Sequence, residues 1–230
     1  MPETNAGAAY YQQLALFLYD VWVLYLSCSF AWRCSTKSIL LPFFRANVGH
    51  RHIDVGVGTG YLPSQAGGAI SSLTLVDLNP NCLSEAVSRI QQGDHRPQEV
   101  QCVLANALHR PLLHSTPERS HDSVSLMYLL HTLPGPPENK LQVLRNVKPY
   151  LKDNGVVFGA TVLGSGVQHN LFGQLLMWFY NKTGIFDNWA DGKEDFVRHL
   201  AEEFDNVQAH VIGCVLLFTA RGPRNAEGSR

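Results

Sequence analysis

Charge is scarce in this chain. Asp, Glu, Lys and Arg make up 16% of its 230 residues and nearly cancel to a formal net charge of -1 at pH 7. Without a sequence-wide positive field to neutralise phosphates or hold an anionic membrane, nucleic acid is not expected as a partner. Cysteine is sparse as well: Cys28, Cys34, Cys82, Cys102 and Cys214 are odd in number, scattered, and never form a Cys-x-x-Cys pair. That pattern fits neither a disulfide framework nor a zinc site, and it suits a reducing, cytoplasmic compartment. Internal repeats and low-complexity tracts are missing. The length supports one well-buried α/β domain over residues 1–230 and leaves no room for two with a linker.

Long apolar runs are limited to Leu14–Trp32, which is nearly long enough to span a bilayer. Asp20 argues against insertion, because an Asp near the centre of a spanning helix costs roughly 2.5–3.5 kcal/mol. Gln13, Asp20 and Ser27 recur at heptad spacing as one polar line, so the segment reads as an amphipathic cap helix within residues 1–48 and not as a membrane anchor. Residues 1–9 and 222–230 carry no apolar period and read as frayed ends.

Between these ends the pattern alternates. Short apolar strands are expected at Arg51–Val55, Leu73–Asp77, Val100–Leu104, Asp122–Tyr128 and Val156–Val162. Helices are expected from about Thr59, over Pro80–Gln92 and over Glu138–Leu151. Strand, helix, strand at such short spacing demands parallel crossover units, and hence a doubly wound α/β sheet within residues 49–221. Asp191 resembles an N-cap for a helix reaching Phe204. Val207–Ile212 and Cys214–Ala220 are joined only by Gly213, which permits an antiparallel hairpin and forbids a crossover. An apolar stretch at Asn170–Tyr180 reads as a lid element, in an insertion of about 165–185.

The strongest local signal is Asp54-Val55-Gly56-Val57-Gly58-Thr59-Gly60, where a strand turns into a helix. Glycines there let the backbone turn sharply and approach a ligand with no Cβ in the way. A nicotinamide-binding site also uses a glycine turn, but the dinucleotide fingerprint is Gly-x-Gly-x-x-Gly. Here the third glycine comes one residue early, and an acid precedes the first by two. That spacing suits an adenosyl sulfonium, which has no pyrophosphate to cradle and whose ammonium group Asp54 can meet. Asp77 closes the second strand, where a carboxylate accepts from both ribose hydroxyls, with Leu78 beside it; a plain helix N-cap is the alternative. Asn106 and Ala107 follow the third strand, where an acceptor for the adenine amino group is expected.

These segments resemble the small class I S-adenosylmethionine-dependent methyltransferases of fungal secondary metabolism, including those that O-methylate polyketide pyrones. The resemblance covers about residues 19–222. It rests on His52-Ile53-Asp54-Val55-Gly56-Val57-Gly58-Thr59-Gly60-Tyr61, on Leu75-Val76-Asp77-Leu78-Asn79-Pro80-Asn81 and on Tyr128-Leu129-Leu130-His131-Thr132-Leu133-Pro134-Gly135. Tyr19-Asp20-Val21-Trp22-Val23-Leu24 and Trp32-Arg33-Cys34 are similar to the family's cap. Asn106 and the Gly67-Gly68 pair depart from the commoner pattern.

The resemblance implies a seven-stranded, mostly parallel sheet with an antiparallel last strand, S-adenosylmethionine as cofactor, and O-methylation of a small hydroxylated acceptor. Such chemistry is an in-line displacement that needs alignment and exclusion of water. Tyr19, Trp22 and Trp32 are candidates for cation–π contact with the sulfonium, ordinary packing being the alternative. His131, after the fourth strand, is the preferred base, a structural histidine being its alternative. His169, Trp178 and Asp187 are candidates for acceptor binding, and His109, His114, His121 and His199 read as surface positions. The fourth strand ends Leu126-Met127-Tyr128 without acids, so no metal is expected. Nor is there an Asp/Asn-Pro-Pro-aromatic turn for methylating nucleic-acid bases. An N- or C-methyltransferase, a cyclase or partner subunit that only binds the sulfonium, and a nicotinamide oxidoreductase are the rivals. Oligomeric state stays open, a homodimer included.

Overall fold

The computed structural model describes residues 21–113 and 116–224, with side chains described from Leu26 onward. Seven strands form one sheet: β1 (Arg51–Val55), β2 (Ser72–Asp77), β3 (Glu99–Leu104), β4 (His121–Met127), β5 (Leu151–Val162), β6 (Phe204–Ile212) and β7 (Val215–Pro223). Their order is β3-β2-β1-β4-β5-β7-β6. The first five are parallel, and β7 runs antiparallel to both β5 and β6. This is the doubly wound sheet with a closing hairpin that the sequence implied. The chain reverses between β1 and β4, and the crevice outside the carboxyl ends of the strands there is where such sheets bind ligands.

Period-two alternation sends one set of side chains to each face. Leu73 and Leu75 of β2, Phe158, Ala160 and Val162 of β5, and Val215 and Leu217 of β7 form one core. Helices α1 (Val21–Ala31), α2 (Leu41–Asn47), α4 (Pro80–Gln92) and α7 (Leu171–Lys182) lie along the chain in that order, and each that reaches the core with described side chains covers this face through Cys28, Phe44, Ala86 or Met177. Val76, Val157, Leu216 and Phe218 point the other way. They meet α6 (Gln142–Val147) and α8 (Lys193–Glu203) through Leu144, Val147, Phe196 and Leu200. Short helices α3 (Tyr61–Ser64) and α5 (Pro137–Lys140), a wide helical segment at Thr36–Leu40 and 3-10 turns at Leu130–Thr132 and Lys148–Tyr150 lie between these elements.

Local chemistry explains several boundaries. Asn79 caps α4 by accepting from the Asn81 amide at 3.0 Å, Pro80 opens it, and Leu83, Ala86 and Ile90 form its buried stripe. The helix after β1 is a single turn, because Gly67 and Gly68 adopt φ of +69° and +83° and cannot continue it. The helix expected over Glu138–Leu151 is divided into α5, α6 and a 3-10 turn at Lys148–Tyr150, and Leu151 already begins β5. Pro149, lacking an N–H, sits in that closing turn.

Other expectations are corrected. Ser27 is buried, whereas Leu26 and Phe30 on the same helix are exposed, so the anticipated polar line does not face solvent there; Gln13 and Asp20 lie outside the described residues. Trp32 donates its amide to the Ser27 carbonyl, an i to i−5 bond that makes α1 wider than an ordinary helix and turns its faces away from a heptad register. No helix of the described residues is long and apolar enough to cross a membrane. Asp191 is not the cap of α8. Gly192 is, and Asp191 is buried beneath it. His121 is buried, not superficial, His199 pairs with Glu202 at 2.9 Å, and His114 lies outside the described residues. Residues 222–224 are not a frayed end: β7 runs through Pro223, and Arg224 bonds Asp205 at 2.8 Å, while residues 1–9 and 225–230 lie outside the described residues.

Candidate cofactor and acceptor site

Gly56, Gly58 and Gly60 all hold positive φ, at +75°, +54° and +70°. Each has a different reason to lack a side chain. A Cβ on Gly56 would strike Leu129 Cδ1 at 2.8 Å, and one on Gly60 would strike Ala86 at 2.7 Å, where α4 packs onto the turn. A Cβ on Gly58 would meet nothing within 4 Å. The turn is thus pinned at both ends and open in the middle, a cradle with room for a ligand.

Asp77 is oriented by two backbone amides, with Gly58 N–H on Oδ2 at 3.4 Å and Asn79 N–H on Oδ1 at 2.9 Å. A carboxylate so held keeps lone pairs for ribose hydroxyls. Leu78 and Leu104 flank it with relative exposures of 68% and 62%, open apolar surface that suits a flat base. Asn106 already accepts the Leu108 amide at 3.0 Å, which leaves its oxygen one remaining lone pair, and Ala107 is fixed by Asn146 Nδ2 on its carbonyl at 2.7 Å. Asp54 is buried at the end of β1. Its Oδ1 accepts from Ser125 Oγ, and Oδ2 makes no hydrogen bond among the described residues. Burial pushes its carboxyl up to about 6, the Ser125 bond lowering it and Asp77 raising it.

The edge beyond β4 and β5 is built differently. Tyr128 turns the chain with φ of +58°, and its ring meets the His131 ring edge-on at 5.5 Å. His131 is buried, with Phe186 packed against it at 4.3 Å. Its Nδ1 accepts the Val162 amide at 3.3 Å. Since that N–H can only donate, neutral His131 carries its proton on Nε2. Burial first, and Lys140 second, push its imidazole down to about 3.

Asp187 is tied back to the protein. Its amide donates to the His131 carbonyl at 3.0 Å, and its Oδ2 accepts from Gly135 N–H at 2.8 Å. His169 donates from Nε2 to the Leu163 carbonyl at 2.9 Å, and its Nδ1 is buried without a partner among the described residues. Trp178 projects outward from α7, 57% exposed. Trp32 is 2% exposed and packed at 6.0 Å from both His169 and Phe186, the ordinary packing that is the alternative to a sulfonium contact. Tyr19 lies outside the described residues, as does the side chain of Trp22.

Sequence reading missed the residues that hold this edge together. Lys140 Nζ, fully buried, donates to both oxygens of Asp191 at 2.7 Å and to the Asp187 carbonyl. Asn188 donates to the Val162 carbonyl at 2.9 Å and bonds Asn181 at 2.9 Å. Ser125 and His52 were missed too, although a signal existed. Polar residues alternate in two apolar strands, His52 and Asp54 in β1 and Ser123 and Ser125 in β4, and the register sets His52 against Ser123 and Asp54 against Ser125. A cavity of about 450 Å³ lies at the opposite edge of the sheet, between the start of β5 and the end of β7, lined by Arg119, Arg145, Lys148 and Glu203 among others. It shares no residue with the glycine turn.

The sheet order, the glycine turn and the acid closing β2 together define a class I, Rossmann-like methyltransferase. Comparison with known proteins agrees. The family described as a methyltransferase domain matches residues 33–205. The chain is 49% identical to Methyltransferase ctvB of Aspergillus terreus over 97% of each chain. It is 45% identical to the physcion biosynthesis cluster O-methyltransferase of Aspergillus chevalieri, covering 96% of this chain and 97% of the relative. The crystal structure of N-methyltransferase NodS from Bradyrhizobium japonicum WM9 in complex with S-adenosyl-L-homocysteine shares the fold, with a TM-score of 0.57 at 15% identity over 80% of this chain and 85% of that one. The chain belongs to the methyltransferase-domain family and is an S-adenosylmethionine-dependent methyltransferase.

Proposed function

We propose that the enzyme is a metal-independent O-methyltransferase of secondary metabolism, acting on a small hydroxylated acceptor of the polyketide type. The observation that carries this reading is the 45% identity to an O-methyltransferase of a physcion biosynthesis cluster. Asp54, Gly58, Asp77, Leu78 and Asn106 would hold the cofactor: Asp54 at the ammonium group, Gly58 beneath the amino-acid portion, Asp77 on the ribose, and Leu78 and Asn106 around the adenine. When bound, the cofactor supplies a methyl group already activated by positive sulfur. The protein aligns the acceptor and keeps water out.

The state of His131 bears on which acceptors fit. Its Nδ1 lone pair faces the Val162 amide and its Nε2 carries the proton, so the neutral ring offers a donor and not a base. An acceptor that ionises unaided, such as the enol of a pyrone-like acid, needs no base. The end of β4 contributes Tyr128, Leu129 and Leu130 without a carboxylate, and the nearby Asp187 carboxylate already accepts from Gly135, which supports a reaction run without a divalent ion.

The test is incubation with methyl-labelled S-adenosylmethionine and a panel of acidic enols, phenols and amines. Label on oxygen, with turnover greatest for the most acidic enols, supports the reading. Label on nitrogen or carbon overturns it.

A further inference from the structure

The buried polar residues of β1 and β4 form a hydrogen-bond chain that can be drawn in only one direction. At one end, the Gly49 amide donates to Ser123 Oγ at 2.8 Å. At the other, an ionised Asp54 can only accept, so the Ser125 hydroxyl donates to its Oδ1. Ser125 Oγ therefore accepts from His52 Nε2 at 2.9 Å, and His52 Nδ1, left without a proton, accepts from Ser123 Oγ at 2.7 Å. Every bond is consistent with a neutral imidazole, and with one tautomer alone. His52, Ser123 and Ser125 are all 0% exposed, and His52 is enclosed by Phe44, edge-on at 5.5 Å, and Phe158, stacked at 5.9 Å.

A chain of this kind is costly to bury, and apart from satisfying the Gly49 amide at its far end it serves no other group among the described residues. It terminates on the one carboxylate at the glycine turn whose second oxygen is unbonded. We infer that His52 is a positioning residue for cofactor binding: through Ser125 it occupies Oδ1 of Asp54 and so presents Oδ2, ionised, to the ammonium group of the cofactor. This inference rests on the reading that Asp54 meets that group.

The Asp54 carboxylate faces Ser125 from β4 and Asp77 from β2, while His52 stands behind Ser125 with His121 beyond it. Asp77 opposes ionisation of Asp54, and the Ser125 hydroxyl favours it. Breaking the chain at His52 therefore leaves Ser125, the group that keeps Asp54 charged beside a second acid, without the donor that fixes its orientation. Affinity for a ligand bearing the ammonium group should fail first at low pH.

The experiment measures binding of S-adenosylhomocysteine to the full-length protein by calorimetry from pH 5 to 8, with 5'-methylthioadenosine, which lacks the amino-acid portion, as the paired probe. His52→Phe keeps the ring's bulk but neither nitrogen. It should weaken S-adenosylhomocysteine binding about tenfold at pH 7 and move the acidic limb of the profile up by roughly one pH unit, with 5'-methylthioadenosine affinity unchanged. His52→Gln, which still donates to Ser125, should recover most of the loss. Equal loss for both probes, or an unmoved limb in a variant that retains its fold, would overturn the inference. Asp54→Asn separates the two levels of the argument: unchanged S-adenosylhomocysteine affinity in that variant refutes the role of Asp54 itself, whereas a strong loss there with no effect of His52→Phe refutes only the chain behind it.

Discussion

The carboxyl edge of the sheet has two halves that treat polar groups in opposite ways. Beyond β1, β2 and β3 the protein leaves groups open: Gly58 faces empty space, Asp54 keeps an unbonded oxygen, and Leu78 and Leu104 are exposed. Beyond β4 and β5 it closes most of them, His169 Nδ1 being an exception among the described residues. Lys140 is saturated by Asp191 and Asp187, Asn188 bonds Asn181 and Val162, and Asp187 holds Gly135. On the proposed reading the first half is completed by the cofactor, so its cost in stability is carried by binding. On the same reading the second holds its shape while the acceptor is absent, so it is completed by the chain itself.

Removing Lys140 should break the closed half most severely. Lys140→Met strands a buried Asp191 carboxylate and should cost about 3–5 kcal/mol in denaturant unfolding, most of it restored by the double change Lys140→Met with Asp191→Leu. A single-variant loss below about 1 kcal/mol would mean that the pair holds nothing in place. In the open half the corresponding change should affect binding and spare the fold. Asp77→Ala is expected to weaken S-adenosylhomocysteine by about 1.5–3 kcal/mol, the range for hydrogen bonds to a charged group, with the melting temperature of the free protein little altered. A large drop in melting temperature would erase the distinction between the halves.

Acid sharpens the contrast. The His131 imidazole is lowered from 6.5 to about 3 in the folded protein, so between those values the unfolded chain binds a proton that the native state refuses. Stability from this group is complete above pH 6.5 and falls as the pH drops towards 3. Relative to His131→Asn, the wild-type protein should lose roughly 1.4 kcal/mol more per pH unit over that window, read by urea unfolding at several pH values. Parallel profiles for the two proteins would refute the buried neutral ring. The smallest effect is expected at Trp178, exposed on α7. Trp178→Ser should change stability by no more than about 0.5 kcal/mol, and any rise in acceptor KM would then report contact with substrate and not damage to the fold.

The open half was largely legible in the sequence because its signals are local. Three glycines within five residues, an acid at a strand end, and Asn79 before Pro80 each carry their meaning within a single turn of chain. The closed half was not, because its partners are distant: Lys140 and Asp191 are separated by 51 positions. The bond from Ser125 to Asp54 behind the open half, across 71 positions, was hidden for the same reason. Trp32 and Trp178 show the same limit. Both lie in apolar stretches, yet one is enclosed by His169 and Phe186 and the other faces outward, a difference set by packing between helices and not by either local pattern. His121 reads as a surface position for a related reason, since a strand that begins one residue earlier than its apolar run carries that residue into the interior.

The turn between β6 and β7 has a bearing on how the molecule is made. Gly213 lies so close to the carbonyl of Trp32 that a Cβ there would approach it to 2.2 Å, and the adjoining Cys214 amide bonds that same carbonyl at 2.8 Å. The exit from α1 is thereby stitched to a hairpin that the chain reaches only after the five parallel strands are laid down. A chain lacking that hairpin would lose the tie, although α1 keeps its packing on α7 and the Asn170 amide on the Phe30 carbonyl at 2.7 Å. The exit from α1 and the closing hairpin are set in place together, not one after the other.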